Sequence, residues 1–307
     1  MNKQSKIYIA GASGMVGSSI VRILKKRGYK KLLIPNSNQL DLIDQSKVDK
    51  WFKNNRPEYV FLCAGKVGGM FSNMKYPADY SVKNTLIIAN VINMSFKYDI
   101  KKLLFMGSSC LYPIQSGNKK IKPEMLLSRP MENSNIHYSI SKINGYFMCL
   151  GYNKQYGTNY ITPMPCNIYG PNDNYNSKTS HFFPALIKKI LNAKKNKKKS
   201  ITIWGTGLAK REMMYVDDLA DACIYFLNKK TKESLINVGT ENDMAVIDYA
   251  KYILKELKLN CKIKLDKSKP TGTIRKLLDC RIAKKYGWTA KISLQEGLRK
   301  TLADIQR

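Results

Sequence analysis

The sequence predicts an α/β protein: a doubly wound parallel sheet followed by a smaller C-terminal α/β lobe. Three observations predict it. Short, continuous apolar runs alternate with longer helical patterns through the first half of the chain. A glycine-rich turn closes the first apolar run. After about residue 165, Pro163, Pro165, Pro171 and Pro184 break the rhythm and residues 172–180 turn polar. At 307 residues and 44% hydrophobic content, the chain can bury a core as one large unit or two packed domains.

Taken in order, residues 7–10, 32–34, 59–63, 103–106 and 160–164 read as strands, because each run is apolar throughout and bounded by turn residues. Residues 15–27, 46–55, 82–98 and 138–156 lie between them and are long enough for helices. Repetition of this β-α-β unit implies a parallel sheet with right-handed crossovers. The expected division is 1–164 for the first domain and 165–307 for the second, with some segments of the second returning to the first. Two of the helices are apolar on more than one side. Leu86, Ile87, Ile88, Val91, Ile92 and Phe96 surround one; Ile140, Ile143, Tyr146, Phe147 and Leu150 surround the other. Such helices are buried on two sides. The sheet covers one, and a homodimer through a four-helix contact is the expected cover for the other.

Charge and cysteine usage exclude several classes. The net charge is +31, but 44 Lys stand against 9 Arg, with 25 Asn besides. Arg is the residue suited to bidentate phosphate and guanine recognition. The lysines are spread along the chain, with one block at 194–199, so nucleic acid is not an expected partner. The seven cysteines (63, 110, 149, 166, 223, 261, 280) form no CxxC pair, and the two histidines lie far from any metal-like spacing, so neither a disulfide framework nor a metal is expected. No run of 18 apolar residues is present, and the amino terminus enters a strand at once. No membrane association and a reducing, cytoplasmic setting are therefore expected.

The first strand runs into Gly11-Ala12-Ser13-Gly14-Met15-Val16-Gly17 and then a helix. This is the phosphate turn of a Rossmann fold: Gly11 for the tight turn, Gly14 for approach of a pyrophosphate, Gly17 for close helix–strand packing. Tyr138 and Lys142 lie one helical turn apart and share a face. A free phenol titrates near 10, and a neighbouring ammonium is expected to lower that value. Ser108, Ser109 and Cys110 follow the fourth strand, at the carboxyl edge where open α/β sheets bind ligands.

Together these residues resemble the extended short-chain dehydrogenase/reductase superfamily, and more closely the GDP-L-fucose synthase family. The similar segments include Gly14-Met-Val-Gly-Ser, Lys66-Val-Gly-Gly, Gly107-Ser-Ser-Cys-Leu-Tyr-Pro, Tyr138-x-x-x-Lys142 and Pro165-Cys-Asn-Ile-Tyr-Gly-Pro171. They continue with Ser180-His181-x-x-Pro-Ala-Leu, Trp204-Gly-Thr-Gly-x-x-x-Arg-Glu and Lys269-Pro-Thr-Gly-Thr-x-Arg-Lys-Leu-Leu-Asp279. The resemblance implies a nucleotide-sugar epimerase/reductase that inverts C3 and C5 of a GDP-4-keto-6-deoxy-hexose and reduces C4. Tyr138 is the implied proton donor to the C4 oxygen, Lys142 its partner on the nicotinamide ribose, and Ser108 a hydrogen-bond donor to the reacting oxygen. Protons flanking a ketone are acidic, and inversion needs a base and an acid on opposite faces; the resemblance makes Cys110 the base and His181 the acid. It assigns Lys189, Trp204, Arg211 and Thr271 to the nucleotide sugar, although Lys and Thr stand at positions 189 and 271 where the family more often has Arg and Asp. Cofactor contacts are implied at Gly11, Ser13, Gly14, Met15, Val16, Gly17, Ser37, Asp41, Leu42, Ala64, Lys66, Met106, Gly107, Ser109, Lys142, Pro165, Asn167, Ile168 and His181. The arginines expected for the 2′-phosphate of NADP are replaced by Ser13, Pro35 and Ser37, and no acid marks an NAD ribose there. NADP(H) is favoured by the family's habit and NAD(H) stays open. Two alternatives stand beside this reading: a 4-reductase for a GDP-linked heptose or dideoxy sugar with partial or no epimerisation, and a Rossmann protein that binds nucleotide or nucleic acid without catalysis.

Overall fold

The structure is a computed structural model that describes residues 1–114, 119–176, 179–269, 271 and 273–305. The chain begins with β1 (Ile7–Ala10), α1 (Met15–Lys26), β2 (Leu32–Leu33), α2 (Gln45–Asn55), β3 (Tyr59–Leu62), α3 (Met70–Lys75), α4 (Pro77–Lys97), β4 (Lys102–Phe105), α5 (Ile136–Tyr156) and β5 (Thr162–Pro165). It continues with β6 (Asn167–Tyr169), α6 (Phe182–Lys195), β7 (Ser200–Trp204), β8 (Lys210–Tyr215), α7 (Val216–Asn228), β9 (Leu235–Val238), β10 (Asp243–Ala245), α8 (Val246–Glu256), β11 (Lys262–Asp266), β12 (Arg275–Lys276), α9 (Arg281–Lys285) and α10 (Leu294–Ile305).

Strands pair in parallel in the order β2-β1-β3-β4. The sheet continues through Ile161, whose carbonyl accepts the Phe105 N–H at 2.9 Å, into β5 and its parallel partner β9. The strand order reverses between β1 and β3. That switch point opens a crevice at the carboxyl ends, where the glycine turn lies. Both faces of the sheet are covered, as its uninterrupted apolar strands require. On one face Ile20 and Leu24 of α1 pack with Leu219, Cys223 and Phe226 of α7. Ser19 Oγ donates to Asp217 Oδ1 at 2.6 Å, and Arg22 and Arg27 pair with Asp217 and Asp221. Residues 216–238 thus return to the first sheet from the second half of the chain. On the other face lie Val48, Phe52, Ile88, Val91, Ile92 and Cys149, from α2, α4 and α5.

The expected strands and helices are present, with shifted ends. Helix α4 begins at Pro77, five residues before the apolar pattern, because proline is accommodated in a helix's first turn. Helix α3, with Gly69 at its N-cap, has no apolar periodicity and was not expected. The outer strip of α4 and α5 remains uncovered in the single chain: Val82, Leu86, Ile140 and Phe147 are 56, 38, 53 and 45% exposed.

The second lobe centres on β8, which pairs with β6 and β12 in parallel and β10 antiparallel; β7 and β11 form a separate parallel pair. Glu212 pins it together. Its carboxylate is fully buried and accepts the N–H groups of Glu241 at 2.7 Å and Leu278 at 2.9 Å. Burial pushes this carboxyl up to about 7, against backbone donors that favour the anion.

Candidate active site

Gly11 has φ +83°, and a β-carbon there would come within 2.7 Å of the Ala64 nitrogen at the end of β3. One at Gly17 would meet the Gly11 oxygen at 2.1 Å. Only glycine lets the turn fold this tightly onto α1. Gly14 caps the helix with no side-chain hydrogen bond and no acid in the first turn, so the helix presents open N–H groups and the positive end of its dipole. Ser13, within this turn, and Ser37, in the segment after β2, are both exposed. Asn36 Oδ1 is committed to its own loop, accepting the N–H groups of Asn38 and Gln39 at 3.0 Å each. Asp41 Oδ1 accepts the Ile43 N–H at 3.0 Å, ahead of Leu42. No Lys or Arg occurs between residues 32 and 46.

The segment after β3 carries Ala64, Gly65 and Lys66. It is held by Asn84, a fully buried amide within the apolar α4. Asn84 Oδ1 accepts the Lys66 N–H at 2.7 Å, while Nδ2 donates to the carbonyls of Lys66 and Tyr80 at 3.1 and 2.8 Å. Lys66 Nζ pairs with Asp79 at 2.6 Å. Asn84 was not foreseen; its signal was an amide among leucines and isoleucines, where an unpaired polar group would be costly.

Beyond β4, Met106 is buried and the Gly107 N–H donates to the Pro163 carbonyl at 3.0 Å. Ser108 is extended, and its Oγ accepts the Cys110 N–H at 3.1 Å, opening a 3₁₀ turn over Ser109–Leu111. Ser139 Oγ on α5 donates to the Cys110 carbonyl at 3.0 Å, tying that turn to the helix of Tyr138 and Lys142. Ser108 lies close enough to the Tyr138 phenol to act on its titration. Burial raises the Tyr138 phenol; the neighbouring Cys110 and Tyr80 add to the rise and Ser108 opposes it. The expected lowering by Lys142 is therefore not what this arrangement gives. Lys142 is 2% exposed and its Nζ donates to the Met106 carbonyl at 3.0 Å, above the Phe105 ring at 4.9 Å. Burial pushes its ammonium down to about 8, and Cys63 opposes the shift.

Cys110 lies near both Tyr138 and Arg211, adding to the rise of the first and favouring the charge of the second. Desolvation lowers Arg211, with Glu132 and then Cys110 opposing. Its Nη1 donates to the carbonyls of Lys210 at 2.8 Å and Thr273 at 2.6 Å. His181 is the N-cap of α6, makes no capping bond and is held below its ordinary value by desolvation. Its segment sits on the Lys66-Val-Gly-Gly loop: the Gly69 N–H donates to the Thr179 carbonyl at 2.8 Å, and a β-carbon at Gly69 would meet the Ser180 oxygen at 2.3 Å. A β-carbon at Gly68 would come within 2.4 Å of the Tyr80 hydroxyl, and the Tyr80 ring stands edge-on to Tyr138 with centroids 6.4 Å apart. The loop, His181 and Tyr138 are thereby linked around one crevice. Pro165, Asn167 and Ile168 form the seam between the lobes, where Asn167 Nδ2 donates to the Glu212 carbonyl at 3.2 Å.

The remaining substrate candidates lie on the second lobe. Trp204 is 58% exposed, and Thr271 Oγ1 accepts the Thr206 N–H at 3.3 Å beside it. Lys189 is turned to its own lobe, donating to the Thr202 carbonyl of β7, and burial lowers it. Among the described residues, no group of three or more His, Cys, Asp or Glu could hold a metal ion, and no helix is long and apolar enough to cross a membrane.

Residues 7–239 match the NAD dependent epimerase/dehydratase family. GDP-L-fucose synthase 1 of Arabidopsis thaliana is 40% identical over 300 residues, spanning 98% of this chain and 93% of that protein. A GDP-6-OMe-4-keto-L-xylo-heptose reductase from C. jejuni superposes with a TM-score of 0.92 at 34% identity, covering 100% of this chain and 99% of that one. The C. jejuni GDP-mannoheptose C4 reductase MlghC, solved with NADP bound, gives 0.90 at 35% identity with both chains fully covered. A serine–tyrosine–lysine set beside a Rossmann glycine turn, in a chain this similar end to end, belongs to the NAD dependent epimerase/dehydratase family and, within it, to the GDP-L-fucose synthases.

Proposed function

We propose that this protein converts a GDP-4-keto-6-deoxy-hexose to GDP-L-fucose or a close relative by 3,5-epimerisation and 4-reduction. The observation that carries the reading is the convergence of two chemistries on one crevice: Ser108 and Cys110 both lie close enough to the Tyr138 phenol to act on it. The residues present fit a dinucleotide. The uncapped start of α1 and the cradle formed by Gly11, Gly14 and Gly17 suit a pyrophosphate, with Met15 and Val16 supplying N–H groups. Ala64, Lys66, Met106, Gly107 and Ser109 line the strand ends, and Leu42 and Asp41 sit beside the adenine end. A bound reduced nicotinamide supplies the hydride. Tyr138, kept protonated by burial, holds the proton for the C4 oxygen, and Ser108 orients that oxygen. Lys142 holds a ribose and can turn from the Met106 carbonyl toward the phenol. Cys110 takes protons from C3 and C5, a task suited to a thiol rather than a hydroxyl. His181, open at the rim of the crevice, returns protons from the other face. Arg211, Trp204, Thr271 and Lys189 hold the nucleotide, Lys189 after release from Thr202.

Residues 1–164 serve the cofactor and 165–307 the substrate, apart from the returning 216–238 segment. The exposed strip of Val82, Leu86, Ile140 and Phe147 is the surface through which two copies form a four-helix contact. Seven free cysteines suit a reducing cytoplasm. NADP(H) is the cofactor, but with Ser13, Pro35 and Ser37 in place of arginines the preference over NAD(H) is shallow. A kcat/KM ratio below about a hundredfold is expected, since each tenfold is about 1.4 kcal/mol; a ratio in the thousands refutes it.

The deciding experiment is incubation with GDP-4-keto-6-deoxymannose and NADPH, with the product identified by NMR. GDP-L-fucose establishes the reading. Reduction at C4 with unchanged C3 and C5 establishes the second reading, a plain 4-reductase, which the close superposition on heptose reductases favours.

A further inference from the structure

Glu132 precedes Tyr138 by six residues and caps the 3₁₀ turn Asn133–Asn135 that leads into α5. Its side chain is 19% exposed, and both carboxylate oxygens are engaged. Oε1 accepts the Ser134 hydroxyl at 2.9 Å. Oε2 accepts the Thr273 hydroxyl at 2.9 Å and pairs with Lys276 Nζ at 3.1 Å. Desolvation pushes the carboxyl up, and Lys276, Thr273 and Ser134 together bring it below its ordinary value. Glu132 is the only acid between residues 125 and 172, so no neighbour in sequence can take over its charge.

Thr273 and Lys276 both belong to the segment that runs beside Arg211. Lys276 of β12 is in register with Arg211 of β8, and the Lys210 N–H donates to the Ile274 carbonyl at 2.8 Å. Thr273 faces two ways: its hydroxyl goes to Glu132, and its carbonyl accepts Arg211 Nη1 at 2.6 Å. The same Nη1 donates to the Lys210 carbonyl at 2.8 Å. Held on two carbonyls, the guanidinium plane is fixed before any ligand arrives. A planar fork grips a phosphate only when it is aimed, and a fork aimed in advance loses less freedom on binding. Among the groups that favour the Arg211 charge against desolvation, Glu132 is the foremost.

Building on the proposed GDP-sugar chemistry, we infer that Glu132 is a positioning residue, which through Thr273 aims Arg211 at the nucleotide and ties it to the approach of the Tyr138 helix. Two effects of the carboxylate oppose each other. Its charge repels a diphosphate, so if screening were its only action, removing the charge would tighten nucleotide binding. If it aims Arg211, removing it weakens binding. The sign decides between them.

The test measures GDP and NADPH affinities by calorimetry on the full chain. Glu132→Gln removes the charge at nearly constant shape; Thr273→Val removes the hydroxyl and keeps the carbonyl; Thr273→Ser keeps both. Arg211→Ala should weaken GDP about 10–100-fold, the worth of hydrogen bonds to a charged group. Glu132→Gln and Thr273→Val should each weaken GDP about fivefold, in the range of coupled neighbours, and leave NADPH within about twofold. Thr273→Ser should bind GDP within about twofold of the wild type. On an Arg211→Ala background Glu132→Gln should cost nothing more, because it acts through that guanidinium. GDP binding as tight as in the wild type, or tighter, in either Glu132→Gln or Thr273→Val overturns the inference and leaves the proposed function standing. So does a fivefold loss that persists without Arg211, or an NADPH affinity that falls in step with that for GDP. A wild type that binds no GDP, or an Arg211→Ala protein that binds it undiminished, overturns the proposed nucleotide site itself and the inference with it.

Discussion

Lys142 carries its charge in a buried place, and that sets a pH dependence. Below about 8 it is an ammonium that can hold a ribose and favour proton transfer; above, it is a neutral amine. Reduction should therefore fall as pH rises through about 8, and a kcat/KM profile that stays flat to pH 9.5 contradicts this. The sign for stability is opposite. A lysine whose folded value lies below its unfolded one adds most stability above the unfolded value, and loses that contribution as pH falls through about 8. The two chemistries should separate by substitution. Tyr138→Phe removes the proton donor, so reduction should drop about 10²–10⁴-fold, while deuterium from D₂O still enters C3 and C5. Cys110→Ser should stop that exchange first, because a serine hydroxyl is a far poorer base than a thiol. NMR of the recovered 4-keto sugar reads both, and full exchange in the Cys110→Ser protein removes the thiol from the mechanism.

The unit formed by β1, its glycine turn and α1 was legible because each glycine answers a separate steric need. Those needs predict different phenotypes. Gly17→Ala drives a methyl to 2.1 Å from the Gly11 oxygen, which is backbone and cannot move aside. Overpacking of this kind costs about 1–3 kcal/mol, so the melting temperature should fall along with cofactor affinity. At Gly14 the nearest atom to an added β-carbon is 3.5 Å away. Gly14→Ala should leave melting nearly unchanged and weaken NADPH binding alone, by crowding the open end of the helix. Calorimetry and a fluorescence titration distinguish the two; equal destabilisation by both refutes the assignment. Helix α3 and the start of α4 were not legible, because a segment of six residues is too short to show a helical period and takes its form from what it packs against.

At the scale of the whole molecule, the apolar strip on α4 and α5 carries the prediction. Phe147→Glu, at a position already 45% exposed, should leave the single chain folded and abolish the dimer in analytical ultracentrifugation. A wild type that sediments as a monomer at micromolar concentration refutes the contact. The lysines at 194–199 lie at the end of α6 and in the turn beyond it, away from the crevice. Their replacement by neutral residues should leave kcat unchanged.

The sequence by itself determined the alternating sheet-and-helix order, the phosphate turn, and the chemical types that meet at the crevice. Those features are local: apolar runs, glycine spacing and one helical turn between Tyr138 and Lys142 are properties of neighbouring residues. Tertiary structure alone decided how the residues act on one another. It returned α7 and β9 to the first sheet, since a buried parallel strand needs cover on both faces. It raised Tyr138 where a lowered value was expected, because the phenol is buried and the Lys142 ammonium is turned to the Met106 carbonyl. It turned Lys189 toward Thr202, committed Asn36 to its own loop, and left the Asn73 oxygen without a donor. Burial and hydrogen-bond partners come from segments far apart in the chain, and no local pattern encodes which atom a side chain finally reaches.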